Sequence, residues 1–479
     1  MTPLINALSK ILPKDSLLYE AEQLAVFESD ALAAYRQIPL AVVLPENKAQ
    51  IQAILTVCRN YQVPVVTRGA GTGISGGALP IKQGIVLGLS KLKKILKIDP
   101  LQRIACVQSG VRNIQISEAV ADYGLYYAPD PSSQIACTIG GNVAENSGGV
   151  HCLKYGLTVH NVLSIKMLTI EGDELVLSQE DDGLDLLALM HGSEGLLGII
   201  IEVTVKLLPK PEKAQVVMAG FSTITDAANA VTAIIQQGII PAGLEMMDAF
   251  AIEAVEAFVQ VGYPLNAKAL LLCEIDGSEE RVREEIDLII ALLKQAQAMS
   301  IEVSANEHHR LQLWKGRKAA FPAVGRLAPD YYCMDGTIPR HRLAEVLMEI
   351  HQLSEHYQLR VANVFHAGDG NLHPLILYDA SIAGEFKKSE ALGADILQLC
   401  LDVGGTITGE HGVGIEKLDS MCSQFATAEL ATFHAIKHVF DNHALLNPGK
   451  AVPTLHRCAE LGKMHVHHNQ QSFPDLERF

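Results

Sequence analysis

The sequence predicts an α+β fold built from at least two domains. In the first part of the chain, short apolar runs typical of strands alternate with segments of helical periodicity. The Pro209-Lys-Pro211 segment interrupts this pattern, and longer helical segments follow it. With 479 residues, 48% of them hydrophobic, the chain is long enough for two or three domains with large cores. We therefore expect a domain boundary at Pro209–Pro211 and a more helical α+β domain beyond it.

The regular elements of the first part follow from the spacing of its apolar residues. Residues 48–61 carry apolar side chains at helical spacing, between strand-like runs at 41–44 and 63–67. The same reading predicts a helix near 113–123 and strands at 85–89, 104–108, 162–170 and 198–206. The first twelve residues predict a short amphipathic helix rather than a signal peptide.

A glycine-rich loop, Arg68-Gly-Ala-Gly-Thr-Gly73, follows the second strand. Without side chains, the backbone N–H groups of such a loop can approach phosphate oxygens closely and form an anion-binding nest. Ile74 replaces the third glycine of a dinucleotide fingerprint, and Ser75-Gly-Gly77 and Pro80 oppose the helix that this fingerprint requires. A nicotinamide-binding fold is therefore disfavoured. Taken alone, the loop is equally compatible with a plain glycine-rich connection.

Two further loops offer polar groups. Residues 129–149 contain Pro129-Asp-Pro-Ser-Ser133 and Thr138-Ile-Gly-Gly-Asn142, and we expect the stretch to be loop-rich with a function. The third loop is His191-Gly-Ser-Glu-Gly195, followed by Gly198. The many backbone donors and amide side chains of these loops suit a large polar heterocycle and its ribityl chain.

Beyond the boundary, strand-like segments at 215–218, 243–247 and 270–274 are separated by long helical patterns. These patterns lie at 225–237, 249–259 and 278–299. We expect helices packed on one sheet, which continues through residues 331–335 and through a hairpin that carries two histidines.

That hairpin, His366-Ala-Gly-Asp-Gly-Asn-Leu-His373, predicts a metal site. If Asp369-Gly370 forms a two-residue turn, His366 and His373 pair directly across the strands, with Cβ atoms ~5 Å apart on one face. Two imidazoles so placed can hold one divalent ion. In Gly409-Glu-His-Gly412, Glu410 offers a carboxylate oxygen and His411 a base. The alternative is a polar hairpin beside an unrelated glycine-rich turn.

Charge, cysteine content and hydropathy exclude several classes of protein. The net charge of −16 argues against a nucleic-acid partner. Nine scattered cysteines without a C-x-x-C pair suit reduced thiols and argue against an iron–sulfur cluster within the chain. No apolar run approaches the ~20 residues needed to span a bilayer. We expect a cytoplasmic protein, which does not exclude peripheral association with the inner face of the membrane through a complex.

Together the glycine loops resemble the FAD-binding domain of the vanillyl-alcohol oxidase / p-cresol methylhydroxylase superfamily. The match covers residues 38–210, and the resemblance implies a flavin held between two α/β subdomains. Some members attach the flavin through a His in the first loop; Arg68–Gly77 contains none, so we expect non-covalent FAD. The implied flavin-binding residues are Arg68, Gly69, Ala70, Gly71, Thr72, Gly73, Pro131, Ser132, Gly140, Gly141, Asn142, Asn146, Gly148, Gly149, Gly195, Gly198, Ile200 and Asn447.

The second half resembles the C-terminal domain of FAD-linked oxidases, as found in D-lactate, D-2-hydroxyglutarate and glycolate dehydrogenases. The motifs are Trp314-Lys-Gly-Arg317, the two-histidine hairpin, Gly409–Gly412 and Leu446-Asn-Pro-Gly449. The residues from Arg317 to Thr337 and the tail are most similar to the glycolate-oxidising members. The expected organisation is an N-terminal helical segment (1–37), the FAD-binding domain (38–210), a ferredoxin-like α+β cap domain that binds substrate and metal (211–440), and a segment returning to the FAD domain (441–479).

The resemblance also implies the roles of the site residues. His366, His373 and Glu410 become metal ligands for Zn²⁺ or Mn²⁺, and His411 becomes the base. Arg317 would hold the substrate carboxylate with two parallel hydrogen bonds. Asp369 is expected to be a turn residue. Cys333 and Leu375 replace a Lys and an Asn of dicarboxylate-oxidising relatives, which favours a small monocarboxylate.

The expected reaction is oxidation of a small 2-hydroxy acid, glycolate to glyoxylate, with hydride passing to the flavin. D-lactate oxidation, a non-catalytic flavin subunit and a metal hydrolase are the alternatives. The resemblance implies two partner subunits, one of flavin type and one with iron–sulfur clusters, which pass electrons towards quinone. His465, His467 and His468 form a histidine-rich tail, for which a disordered tail, a metal site and partner docking all remain open.

Overall fold

The computed structural model describes residues 2–454 together with Arg457 and Cys458. The histidine-rich tail lies outside these residues. The strands are β1 (Leu17–Leu18), β2 (Ala41–Val43), β3 (Val65–Arg68), β4 (Ile85–Gly88), β5 (Ile95–Asp99), β6 (Ile104–Gln108), β7 (Leu125–Tyr126), β8 (Val162–Leu168), β9 (Glu174–Ser178), β10 (Ile199–Lys206), β11 (Leu208–Pro209), β12 (Lys213–Phe221), β13 (Gly243–Asp248), β14 (Ala269–Gly277), β15 (Ser300–Val303), β16 (Asp330–Cys333), β17 (Val361–Phe365) and β18 (Pro374–Tyr378).

The helices are α1 (Pro3–Leu8), α2 (Ala21–Ala25), α3 (Lys48–Tyr61), α4 (Asn113–Val120), α5 (Ile139–Glu145), α6 (Cys152–Tyr155), α7 (Thr158–Asn161), α8 (Leu186–Met190), α9 (Ile224–Gln236), α10 (Ala249–Val259), α11 (Glu279–Gln295), α12 (Glu307–Lys318), α13 (Ala320–Val324), α14 (Leu343–Tyr357), α15 (Glu385–Asp402), α16 (Leu418–Gln424) and α17 (Thr427–Phe440). Among the described residues, no helix is both long enough and apolar enough to cross a bilayer.

Two sheets are built from the first part of the chain. One has the order β1-β2-β4-β3, with β2, β4 and β3 parallel. The other is an antiparallel sheet of order β5-β6-β10-β8-β9. Helix α3 begins where the Asn47 side chain accepts a hydrogen bond from the Gln50 N–H, and it buries Ile51, Ile54 and Leu55. These two sheets are the two α/β subdomains expected for the flavin-binding half.

A seven-stranded sheet of order β15-β12-β14-β13-β17-β18-β16 dominates the second part. Its first four strands, numbered by their order in the chain, lie in the spatial order 4-1-3-2 of a ferredoxin-like unit. Helices α9, α11 and α14 contribute apolar residues to one core with this sheet, and α10, α12 and α13 contribute to another. The prediction that the sheet continues through the two-histidine hairpin is confirmed.

The stretch 129–149 is loop-rich, as predicted, but it also contains a helix that was not predicted. It contains α5, which begins after Thr138 and ends at Asn146, a residue with left-handed backbone conformation. Position 140 of this helix requires glycine, because a Cβ there would come within 2.6 Å of the Ser109 Cβ. Close packing against the five-stranded sheet therefore overrides the weak helix propensity of two adjacent glycines.

One expectation from the cysteine content was wrong. Cys422 and Cys458 form a disulfide, with Cα atoms 5.3 Å apart, although the scattered spacing suggested reduced thiols throughout. The partners are 36 residues apart and belong to no short motif. The other seven cysteines are free.

Candidate functional site

A cavity of about 870 Å³ lies between the two sheets of the first part of the chain and the seven-stranded sheet of the second part. Its walls come from both halves of the chain. One wall contains the first glycine loop and α5, and the opposite wall contains Arg317, the two histidines of the hairpin, Glu410 and His411. A single cavity therefore brings together motifs that are more than 300 residues apart in the chain.

The first glycine loop presents bare backbone to this cavity. β3 ends at Arg68, and Gly71 adopts a φ of +73°, which disfavours any other residue. No atom lies within 4 Å of where a Cβ on Gly73 would stand. The loop is thus shaped for close approach of a ligand to its N–H groups.

On the wall that carries the first glycine loop and α5, four buried polar atoms have no hydrogen-bond partner among the described residues. They are Thr67 Oγ1, Ser109 Oγ, Thr138 Oγ1 and Glu145 Oε2. Burial, reinforced by the neighbouring Glu194, raises the pKa of the Glu145 carboxyl. Because buried polar groups are normally paired, these atoms indicate that a polar ligand completes the wall. Isolated residues of this kind follow no spacing pattern, so the sequence did not reveal them.

Most of the predicted flavin residues line the cavity. They are Gly69, Ala70, Gly71, Thr72, Gly73, Pro131, Ser132, Gly140, Gly141, Asn142, Gly195, Gly198 and Ile200. Together with the unpaired polar atoms, this wall fits the long polar FAD molecule.

The remaining five predicted flavin residues are not in the cavity lining. Arg68 donates to the Ser29 carbonyl at 2.6 Å, and Asn447 donates to the carbonyls of Gly77 and Glu194 at 2.9 and 2.7 Å. Both side chains brace loops rather than face the ligand.

Asn146 and Gly148 also support the wall, and Gly149 packs closely against Asp130. Asn146 Oδ1 accepts from the Val159 N–H at 3.0 Å. A Cβ on Gly148 would collide with the Glu410 carboxylate. Gly148 therefore permits the close approach of the first half of the chain to the loop that carries Glu410.

The two-histidine hairpin forms, but its register differs from the prediction. β17 and β18 are antiparallel, and His366 pairs with Asn371 rather than with His373. The Gly370 N–H donates to the His366 carbonyl at 3.0 Å, so the turn contains four residues instead of two. His373 lies two residues further along, on the same face of the pleat. The rings still approach to 5.1 Å between centroids.

His366, His373 and Glu410 present donor atoms to one point. Glu410 Oε1 lies 3.3 Å from His366 Nε2 and 3.1 Å from His373 Nε2. Two ligands of one tetrahedral zinc ion are roughly 3.4 Å apart, given metal–ligand bonds of about 2.1 Å. We call these three ligand atoms, from His366, His373 and Glu410, the donor set; their type and spacing fit a divalent ion. Asp369 is exposed and accepts from the Asn371 N–H, as expected of a turn residue.

Arg317 and His366 share one buried carboxylate, that of Glu245. Arg317 Nε donates to Glu245 Oε2 at 2.8 Å, and His366 Nδ1 lies 2.6 Å from Glu245 Oε1. Burial raises the pKa of Glu245, but the positive charges of His366 and Arg317 outweigh it and hold the pKa below its ordinary value. The sequence placed Glu245 in a strand and gave it no role. The sequence feature that could have pointed to Glu245 is a single carboxylate within an apolar strand.

Asp335 organises the loop that carries Glu410 and His411. Its carboxylate accepts from the backbone N–H groups of Gly409 and His411 at 3.0 and 2.9 Å, and Lys417 Nζ lies 3.2 Å away. Asp335 and Lys417 are almost completely buried. This fixed anchor holds the two adjacent site residues in their orientations.

His411 stacks on His373, with 4.8 Å between ring centroids. Burial lowers the pKa of His411 to about 4, against the opposing influence of Asp335. Its Nδ1 has no partner among the described residues, and its Nε2 lies 3.9 Å from Glu410 Oε1. A neutral imidazole in this position is able to accept a proton.

The two residues expected to favour a monocarboxylate differ in position. Cys333 lines the cavity, and burial raises the pKa of its thiol, which is therefore neutral. Leu375 is its partner across β16 and β18, but it is fully buried in the core and does not line the cavity. Of the two, only Cys333 is placed to touch a ligand.

A first half with glycine loops around a cavity, joined to a second half that contributes an arginine, two histidines and a carboxylate to the same cavity, is the arrangement of a flavoprotein oxidoreductase. Comparison with known proteins agrees. Residues 39–178 match the FAD binding domain model, and residues 210–451 match the model for the C-terminal domain of FAD linked oxidases. The chain belongs to the FAD-linked oxidase family.

Among its relatives is glycolate oxidase subunit GlcD of Escherichia coli (strain K12), 57% identical over 100% of this chain and 96% of that protein. Glycolate oxidase subunit GlcD of Bacillus subtilis (strain 168) is 39% identical over 89% of this chain and 91% of its own length. D-lactate dehydrogenase of Anaerostipes hadrus is 32% identical over 94% of this chain and 97% of that protein.

Solved structures agree with the predicted fold class. p-Cresol methylhydroxylase with substrate bound superimposes with a TM-score of 0.80 at 16% identity, covering 95% of this chain and 97% of that one. Alkyldihydroxyacetonephosphate synthase gives a TM-score of 0.76 at 17% identity, over 94% of this chain and 86% of that one. The predicted fold of the vanillyl-alcohol oxidase / p-cresol methylhydroxylase type is confirmed.

Proposed function

We propose that this protein is an FAD-dependent dehydrogenase of small 2-hydroxy acids that oxidises glycolate to glyoxylate. The observation that carries the proposal is the convergence of Arg317, His411 and the donor set on the cavity that the flavin-type loops line. The 57% identity to a protein named glycolate oxidase subunit GlcD supports glycolate as the substrate. The neutral thiol of Cys333 on the cavity wall suits a substrate without a second carboxylate.

Arg317 binds the substrate carboxylate in this proposal. Glu245 accepts from Nε and Nη2 of the guanidinium, which leaves Nη1 and the second N–H of Nη2 available for the two oxygens of the substrate carboxylate. A planar guanidinium suits a carboxylate because its N–H groups match the two oxygens.

His411 accepts the hydroxyl proton at Nε2, the nitrogen nearer the donor set. Burial keeps its imidazole neutral before the reaction, with a pKa of about 4. Stacking against His373 and the Asp335 anchor hold the ring in place, so proton transfer requires no rearrangement of the loop.

Two bound groups complete the site. FAD, held non-covalently by the glycine loops, supplies the hydride acceptor. A divalent metal, Zn²⁺ or Mn²⁺, held by His366, His373 and Glu410, supplies a Lewis acid that favours loss of the hydroxyl proton.

The electron acceptor is an assembly of partner subunits, one of flavin type and one carrying iron–sulfur clusters, with electrons passing towards quinone. The word "subunit" in the names of two relatives supports such a complex. The protein is then cytoplasmic and meets the inner face of the membrane through its partners. The division into 1–37, 38–210, 211–440 and 441–479 is part of the same proposal. The separation of the sheets near residue 210 supports its central boundary, whereas β1 joins the segment 1–37 to the first sheet.

Anaerobic titration of the purified protein with glycolate and with D-lactate tests the proposal. Glycolate is expected to bleach the flavin absorbance, and verified removal of the metal is expected to slow bleaching strongly. A flavin that D-lactate reduces more efficiently than glycolate would reassign the substrate. Unchanged reduction after metal removal would eliminate the metal from the mechanism, and a colourless protein that cannot be reconstituted with FAD would overturn the flavin chemistry.

A further inference from the structure

Glu245 stands behind two parts of the site at once. It lies on β13, is 1% exposed, and uses both carboxylate oxygens. Oε1 is 2.6 Å from His366 Nδ1, and Oε2 is 2.8 Å from Arg317 Nε and 2.7 Å from Arg317 Nη2. Glu245 does not line the cavity, whereas His366 and Arg317 do.

We propose that Glu245 is a positioning residue that couples the substrate clamp to the metal site, by orienting Arg317 with one oxygen and fixing the tautomer of His366 with the other. This inference rests on the proposed function and assigns to that site a residue outside the cavity wall.

The effect on His366 follows from hydrogen-bond chemistry. A carboxylate only accepts, so His366 must carry a proton on Nδ1 to satisfy Glu245. Its Nε2 lone pair then points to the side of Glu410, where the donor atoms converge. Outer carboxylates of this kind fix ring orientation and raise the basicity of the metal-binding nitrogen.

Glu245 also fixes the orientation of the Arg317 guanidinium group. One edge of the guanidinium, Nε with Nη2, is held by Glu245, and the residue is 3% exposed. A side chain with little freedom to rotate presents the rest of its donors in one direction. One carboxylate therefore sets the distance and angle between the substrate clamp and a metal ligand.

Glu245→Gln is the informative variant. Its amide has one acceptor and one donor, so it cannot satisfy both Arg317 and the Nδ1–H of His366. We expect metal affinity to fall roughly 10- to 100-fold. The glycolate KM is expected to rise roughly tenfold or more, the loss of one hydrogen bond to a charged group. The visible flavin spectrum and FAD content stay unchanged.

Glu274→Gln provides a matched control. Glu274 lies on the adjacent strand β14, is also almost completely buried, and also bonds an arginine and a histidine, Arg310 and His151. Its two partners do not line the cavity, whereas Arg317 and His366 do. We expect this variant to lose stability while its metal affinity stays within twofold of the wild type.

Metal affinity is measured by competition with a chromophoric chelator, alongside thermal unfolding and steady-state kinetics. If Glu245→Gln lowers only the unfolding temperature, with metal affinity and KM unchanged, Glu245 is a structural ion pair and the inference is wrong. If that variant does not fold, Glu245→Asp decides. Its carboxylate is shorter and cannot reach both partners, so a metal affinity and KM equal to the wild type would overturn the coupling. A wild-type protein that binds no metal contradicts the proposed function itself, whatever the variants do.

Discussion

Two buried clusters on neighbouring strands each consist of a glutamate bound to an arginine and a histidine. We call one cluster open because its arginine and histidine line the cavity, and the other closed because its arginine and histidine do not. In the first, Glu245 binds Arg317 and His366; in the second, Glu274 binds Arg310 and His151. Glu245 pairs with Leu272, two residues before Glu274, so both carboxylates point to the same face of the sheet.

Both arginines come from one helix. Arg310 and Arg317 are seven residues apart on α12, which is about two turns, so they lie on the same side of the helix. The histidines differ in their second partner. His151 Nδ1 lies 2.9 Å from Asp130, whereas His366 Nε2 faces the donor set.

The difference shows how one arrangement serves two purposes. The closed cluster joins residues of both halves, Asp130 and His151 from the flavin half and Glu274 from the cap, and satisfies its charges within the protein. The open cluster leaves one nitrogen of its histidine and one arm of its arginine for ligands. We therefore expect changes at the closed cluster to affect stability, and changes on the open side to affect chemistry.

The largest effect is expected on the open side, from His411→Ala. Removing the proposed base should slow flavin reduction by glycolate roughly 10²- to 10⁴-fold, the usual contribution of a positioned proton acceptor. Stopped-flow measurement of flavin bleaching checks this. His151→Ala is the control, since it removes the histidine of the closed cluster and should lower the unfolding temperature more than the rate. Equal losses of rate in both variants would contradict the assignment of chemistry to the open side and of stability to the closed cluster.

Arg310→Ala should produce the next largest effect, on stability. The change removes an ion pair in which Glu274 is 3% exposed, and loss of one partner of a buried pair costs about 3 kcal/mol. Chemical denaturation measures the free energy of unfolding. The comparison variant is Arg281→Ala, which breaks the more exposed pair with Glu285 and should cost less than about 1 kcal/mol. Similar losses of unfolding free energy in both variants would show that the closed cluster stabilises the protein no more than an exposed ion pair does.

A smaller and progressive effect is expected from acid. Burial raises the pKa of Glu274, but its bonds to His151 and the charge of Arg310 lower it from 4.5 to about 2. A depressed pKa adds stability above the unfolded value, and this contribution is lost as the pH falls from about 4.5 through about 2. The difference in unfolding free energy between wild type and Glu274→Gln should therefore shrink over this range. A constant difference would mean that the carboxylate is not depressed.

Much of the fold could be predicted because apolar spacing reports burial directly. The helix at Lys48–Tyr61 and the strand at Ile104–Gln108 have the predicted bounds. The helix α5 was missed because tertiary packing against Ser109, rather than local propensity, permits its glycines. The spacing of apolar residues therefore predicts an element correctly only where burial and secondary-structure propensity favour the same structure.

The site could be predicted where residues form a motif, and could not where they act alone. The sequence brought His366, His373, Glu410 and His411 into one hypothesis, but it misjudged the hairpin by two residues, because backbone hydrogen bonds set the turn length. Glu245 and Asp335 went unnoticed, since a single carboxylate in a strand has no characteristic spacing. The sequence could not show that Cys333 lines the cavity while Leu375 does not, because both residues lie in buried, paired strands.

The bracing of the first glycine loop by Asn447 has a consequence for biosynthesis. Asn447 donates to Gly77 across 370 residues of sequence, and the backbone on either side of Leu446 pairs with Val65 in the first sheet. A nascent chain lacks this support until residues 445–447 have left the ribosome. The first glycine loop, synthesised hundreds of residues earlier, is therefore expected to reach its final form only after this segment has docked, and cofactor loading is expected to follow that docking.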